Sequence, residues 1–89
     1  MGTALIKLKI MPESPDSDLE AIKQQAQKEI EQLQGKLNNA EEQPIAFGLK
    51  ALILTISIDE KTDTSVLENL FEKLNNVTSS DIIDYRRAL

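Results

Sequence analysis

The sequence predicts an α+β fold in which two strand–helix–strand units share one antiparallel sheet. Three observations point to it. Residues 4–11 alternate, with Ala4, Ile6, Leu8 and Ile10 on one parity and Lys7 and Lys9 on the other, the period of a half-buried strand. Residues 49–58, LKALILTISI, do the same more strongly: Leu52, Leu54, Ile56 and Ile58 make an apolar face, and Ala51, Ile53, Thr55 and Ser57 a milder one. Each of these runs is followed by a stretch of helical period.

The first helix repeats Leu19, Ile22, Ala26, Ile30 and Leu33 on one stripe, with Gln, Lys and Glu outside. Ser17 and Glu20 have capping-box spacing at its start, and Gly35 supplies the stop. Residues 36–43 are polar, with Leu37 the only large apolar side chain. They read as an edge strand running into Pro44, since edges tolerate polar residues and proline. The second helix carries Leu67, Leu70, Phe71 and Leu74, with Ser65 and Glu68 again in capping-box spacing. NNVTSS (75–80) ends it, and DIIDYRR (81–87) reads as the last strand. The hexapeptides SDLEAI (17–22) and SVLENL (65–70) are alike, suggesting two tandem halves.

The first and third strands are the most apolar and belong at the centre; the second and fourth are polar and belong at the edges. Both helices must cover the face carrying Ile6, Leu8, Leu52, Leu54 and Ile56. Right-handed crossovers then give the order 4-1-3-2, the ferredoxin-like βαββαβ plait. This order puts the turn EEQPIAFGLK, with Phe47, at one end of the sheet and Arg86, Arg87 and the carboxyl terminus at the other.

Composition narrows the chemistry. The 89 residues suit a single domain spanning 1–89. There is no Cys and no His, which removes disulfides, thiolate or imidazole metal sites and histidine-based acid–base catalysis. An intracellular, cytoplasmic protein is expected, with no membrane span and no signal-peptide layout. A net charge of −5 disfavours direct contact with nucleic acid. The sheet face opposite the helices offers Lys7, Lys9, Ala51, Ile53 and Thr55 and no aromatic for stacking bases. SPDSDLE and DEKTDT do not have EF-hand spacing, and carboxylates at helix starts account for them.

Two features remain. Phe47, one of three aromatics, either folds under its hairpin to cap the core or stands out as an anchor for a protein partner. Arg86 and Arg87 either form a solvated terminus or recognise an anion through a guanidinium fork. In one strand register they face opposite ways, so one of them serves.

MPESPDSDLEAIK, EEQPIAFGLKALIL and SSDIIDYRRAL together resemble the archaeal elongation factor one beta family, the guanine-nucleotide exchange factors of translation elongation. The resemblance runs from about Ile6 to Leu89. PIAFG is its most specific piece, similar to a Pro-Ile-Gly-Phe-Gly-like turn in eukaryotic members. It implies the same plait, one exchange domain, and a GTPase partner, elongation factor one alpha. It also implies no covalent chemistry and no cofactor of the chain's own, since the family acts on the GDP, GTP and Mg²⁺ of that partner, and a monomer when alone. Pro44, Ile45, Phe47 and Gly48 match the family's docking turn. The other end of the family's plait wedges between the partner's switch regions and disturbs its Mg²⁺ site. The family's wedge lysine falls opposite Arg87, with Arg86 beside it and a small offset at the terminus. Two other classes are weighed against this. A small-molecule-binding regulatory plait of a larger enzyme predicts a homodimer with ligand at the interface. An acylphosphatase-like enzyme needs a phosphate cradle after the first strand, where this chain has the acidic MPESPDSDLE.

Overall fold

A computed structural model describes residues 2–74 and 76–88. The elements run β1 (Thr3–Pro12), α1 (Leu19–Gln32), β2 (Lys36–Pro44), a single 3₁₀ turn (Ala46–Gly48), β3 (Lys50–Asp59), α2 (Thr64–Glu72) and β4 (Val77–Ala88). All three strand pairs are antiparallel, in the order β2-β3-β1-β4. This is the plait the periodicity predicts. Ile6 pairs with Ile56 and Leu8 with Leu54 at its centre.

Alternation decides the core. Ala4, Ile6, Leu8 and Ile10 of β1 and Leu52, Leu54, Ile56 and Ile58 of β3 point to the helix side, where Ile22, Ala26, Ile30, Leu67 and Phe71 meet them. Burying such a side chain contributes about 1.5–3 kcal/mol. The milder face of β3 is less open than its composition suggests, because Ala51 and Ile53 are also buried. Ile53 lies between Lys9 of β1 and Glu41 of β2, whose aliphatic stems can cover it.

Local signals were displaced where two residues competed for one role. Asp18, not Ser17, caps α1: its Oδ1 accepts the N–H of Glu20 at 3.0 Å and of Ala21 at 3.2 Å. Ser17 Oγ accepts the Ser14 N–H instead, one turn earlier. Asp63, not Ser65, caps α2; its carboxylate accepts both the N–H and the hydroxyl of Ser65. Those two bonds, the hydroxyl first, hold the Asp63 pKa below its ordinary value. Glu68 is thereby free of the cap, and its Oε2 accepts the Ile82 N–H of β4 at 3.4 Å. At the end of α1 the left-handed residue is Gln34, with φ 63°. Gln34 N–H donates to Glu31 O and Gly35 N–H to Ile30 O, the paired bonds of a Schellman motif.

The two halves correspond through their caps and not through the hexapeptides. Four and eight residues beyond the capping aspartates stand Ile22 and Ala26 in α1, and Leu67 and Phe71 in α2, all buried. Superposing SDLEAI on SVLENL would set the helices three residues out of step. The strand after α2 also begins earlier than DIIDYRR suggests, at Val77, because Val77 is itself buried and pairs with Pro12.

That earlier start draws Ser80 into the core. Ser80 pairs with buried Ile10 and is 1% exposed, and its Oγ has no hydrogen-bond partner among the described residues. A desolvated, unpaired hydroxyl destabilises. Ser80→Ala is therefore expected to raise stability by about 1 kcal/mol, which moves Tm up by roughly 4–8 °C in a domain of this size. Thermal unfolding followed by circular dichroism reads this directly, and an unchanged or lower Tm would show that the hydroxyl has a partner.

Candidate functional site: two poles of one sheet

Strand register fixes where the candidate residues stand. Pro44 pairs with Lys50 where β2 turns into β3, and Ile10 pairs with Leu52 close by. At the far end, Ala4 pairs with both Ile58 and Arg87. Pro44, Ile45, Phe47 and Gly48 thus gather at one pole, and Arg86 and Arg87 at the other. The long axis of the molecule is 42 Å, and the run of β3 between the poles is roughly 30 Å at 3.3 Å per residue.

The turn at the first pole is built to present its aromatic. Ile45 N–H donates to Leu49 O at 2.8 Å and Leu49 N–H to Ala46 O at 3.2 Å, closing the loop at its base. Between them Phe47 takes φ 61°, ψ 31°, and Gly48 follows at φ 77°. Glycine reaches that region without penalty, whereas a bulky residue there costs about 1–2 kcal/mol. Phe47 bears this strain and is also 94% exposed. Of the two readings open to the sequence, a cap on the core and a projecting anchor, the geometry excludes the first: the ring projects from the chain. Strained, exposed aromatics on a closed turn are features of contact sites.

Beside Gly48 a cleft of about 450 Å³ opens between the start of α1 and β2, with Leu52 and Pro12 among its apolar walls. Its charged groups are Asp18, Glu20, Glu41, Glu42, Lys23 and Lys50. No local motif announces it, because it forms where three separated segments converge.

At the second pole the alternation of β4 sends the arginines to opposite faces. Arg86, opposite Leu5, lies on the open side of the sheet; Arg87, opposite Ala4, lies on the helix side. Each meets a carboxylate, Arg86 Nε at 3.1 Å from Asp84 Oδ2 and Arg87 Nε at 3.6 Å from Glu60 Oε2. Both arginine side chains are about three-quarters exposed, at 76% and 73%. Asp84 shares a strand with its partner, but Glu60 comes from the β3–α2 loop. Sequence reasoning missed both carboxylates; the alternation of Asp84 and Arg86 on one strand was a signal it could have used, and for Glu60 there was none.

Comparison with known proteins identifies the family. Residues 5–88 match the EF-1 guanine nucleotide exchange domain. The chain is 43% identical over 90 residues to an elongation factor 1-beta of Methanobrevibacter smithii, covering 100% of both chains. It is 37% identical to that of Methanothermobacter thermautotrophicus, again over 100% of both. To that of Methanosarcina mazei it is 42% identical, over 98% of this chain and 99% of the relative. The match extends through both poles and every strand between them, and the chain belongs to the EF-1 guanine nucleotide exchange domain family.

Proposed function

We propose that this chain is the guanine-nucleotide exchange factor of elongation factor 1-alpha, promoting release of GDP and reloading with GTP during translation elongation in the cytoplasm. The observation that carries the reading is the exchange-domain match over residues 5–88. The geometry adds a means. Phe47 docks the first pole on one part of the GTPase, and Arg87 at the second pole reaches the partner's Mg²⁺ site, about 30 Å away along β3.

The chain needs no covalent chemistry for this and no cofactor of its own. Exchange follows from linkage: a factor that binds the nucleotide-free GTPase better than the loaded form weakens nucleotide binding by the same factor. Each tenfold weakening needs about 1.4 kcal/mol of differential binding, and a thousandfold about 4 kcal/mol. One anchored aromatic together with one inserted cation can supply that. Beside the partner's Mg²⁺ site, the Arg87 guanidinium would compete for carboxylates that hold the metal and so weaken the GTPase's hold on its nucleotide. The chain works as a monomer on its GTPase, without direct contact to nucleic acid or membrane. Among the described residues no helix is long and apolar enough to cross a membrane.

Stopped-flow release of fluorescent GDP from the cognate elongation factor 1-alpha tests the reading. Release should accelerate with added chain and then saturate. A release rate independent of the chain's concentration would overturn it.

A further inference from the structure

Arg87 is 73% exposed, so packing does not hold it. A free arginine side chain carries about 2 kcal/mol of rotamer entropy, and ordering it on arrival at a partner lowers the yield of any contact it makes. Something must narrow its choices beforehand if it is to lead an insertion.

Glu60 is placed to do this. Its side chain is 29% exposed, far less than that of Arg87. Its backbone is fixed from two sides. Glu60 N–H donates to Gly2 O at 3.1 Å, and the loop beyond is closed by Thr62 N–H to Asp59 O and Lys61 N–H to Asp59 Oδ1, both 2.9 Å. The carboxylate is seated by an absence. A Cβ at position 2 would fall 2.5 Å from Glu60 Cδ and Oε2 and 2.8 Å from Oε1, so any side chain there would push the carboxylate out of its place.

From that seat Glu60 Oε2 faces Arg87 Nε at 3.6 Å, a charge pair and not a hydrogen bond. Contact at Nε, the guanidinium nitrogen nearest the main chain, biases the stem; the two outer nitrogens lie farther along the side chain. Arg86 has no equivalent, because Asp84 lies on the same strand and ties it to no other element.

We propose that Glu60, seated by Gly2, is a positioning residue that pre-orients Arg87 for entry into the GTPase partner. The proposal rests on the exchange-factor reading and on Arg87 as the wedge cation. Glu60 touches neither nucleotide nor metal; it acts through Arg87. Its effect therefore appears in the limiting rate of GDP release at saturating factor and not in the half-saturating concentration, which the distant Phe47 pole governs.

The test compares the full chain with Glu60→Gln, Gly2→Ala, Arg87→Ala and the double variant Glu60→Gln/Arg87→Ala, by stopped-flow GDP release at several salt concentrations. Glu60→Gln keeps the side chain's shape and should lower the limiting rate roughly two- to fivefold, the scale of an exposed charge pair. The half-saturating concentration should stay unchanged, and the deficit should shrink as salt screens the pair. Gly2→Ala should lower the rate in the same way. Glu60→Gln should add nothing once Arg87 is alanine, since the two act as one unit. In the free chain, the Arg87 Nε–H resonance should shift and lose order on Glu60→Gln, an outcome independent of exchange activity. If Arg87→Ala slows release but Glu60→Gln leaves the rate and the Nε–H signal unchanged, or raises the rate, the positioning role is overturned while the exchange reading stands. If Arg87→Ala releases GDP at the wild-type rate, Arg87 is not the wedge and the positioning role falls with it.

Discussion

Phe47→Ala is expected to weaken binding to elongation factor 1-alpha by roughly 30- to 1000-fold, the loss of about 2–4 kcal/mol that truncating a central aromatic anchor produces. The fold should not notice. At 94% exposure the ring makes almost no contact within the chain, so stability should change by no more than about 0.5 kcal/mol, as for surface substitutions generally. The turn itself should persist, because its closing bonds are backbone bonds at Ile45, Ala46 and Leu49. Isothermal titration against the nucleotide-free GTPase measures the affinity, and the concentration dependence of GDP release gives it again. At saturating factor the limiting rate should lie close to wild type, since the second pole is intact. Phe47→Gly is the sharper companion: it also loses the anchor, while removing the strain of a bulky residue at φ 61°. Wild-type affinity in both variants would show that the ring is an idle surface residue.

How far the sequence carried depends on whether a signal was local and unopposed. The central strands were legible because Ile6, Leu8, Leu54 and Ile56 alternate without interruption and nothing competes for the core face. Strand order followed from the polar letters of residues 36–43, which only an edge tolerates. The caps are misread because Ser17 stands just before Asp18 and Ser65 lies two residues past Asp63, already inside its helix, and the aspartate takes the N–H groups in each case. The stop at Gly35 was misread by one residue. Gln34 accepts the left-handed conformation, and Gly35 is needed for clearance, with its absent Cβ 2.9 Å from Ile30 Cγ2 and 3.0 Å from Ser57 O. At the site, periodicity places Phe47 and the arginines at opposite poles but carries no information on exposure; the backbone of the turn decides the ring's projection. The Glu60–Arg87 pair spans two elements and depends on the missing side chain of Gly2. Such a contact is written nowhere along the chain.

Arg87→Ala is expected to act at the opposite step. Removing a cation that enters a partly desolvated carboxylate site typically costs about 2 kcal/mol or more, so the limiting rate of GDP release should fall by roughly 30-fold or more. Docking through Phe47 should be nearer normal, and the half-saturating concentration should change much less than the rate. Arg86 and Arg87 are alternatives on geometric grounds. Consecutive strand residues face opposite ways, and the register puts Arg87 on the side of Ala4 and Glu60 and Arg86 on the side of Leu5 and Asp84. A single inserted group can therefore be only one of them. Arg86→Ala should cost the rate markedly less; the reverse ranking would move the wedge to the open face of the sheet. Arg87→Lys separates charge from shape. A compact ammonium substitutes for a metal ion as a point charge, whereas the planar fork pairs two oxygens at once. If neutralising the metal's carboxylates is what matters, lysine should recover most of the rate lost in alanine. If lysine is as slow as alanine, the fork's two-oxygen geometry is required, and Arg87 works by bidentate capture of a carboxylate and not by replacing the ion's charge.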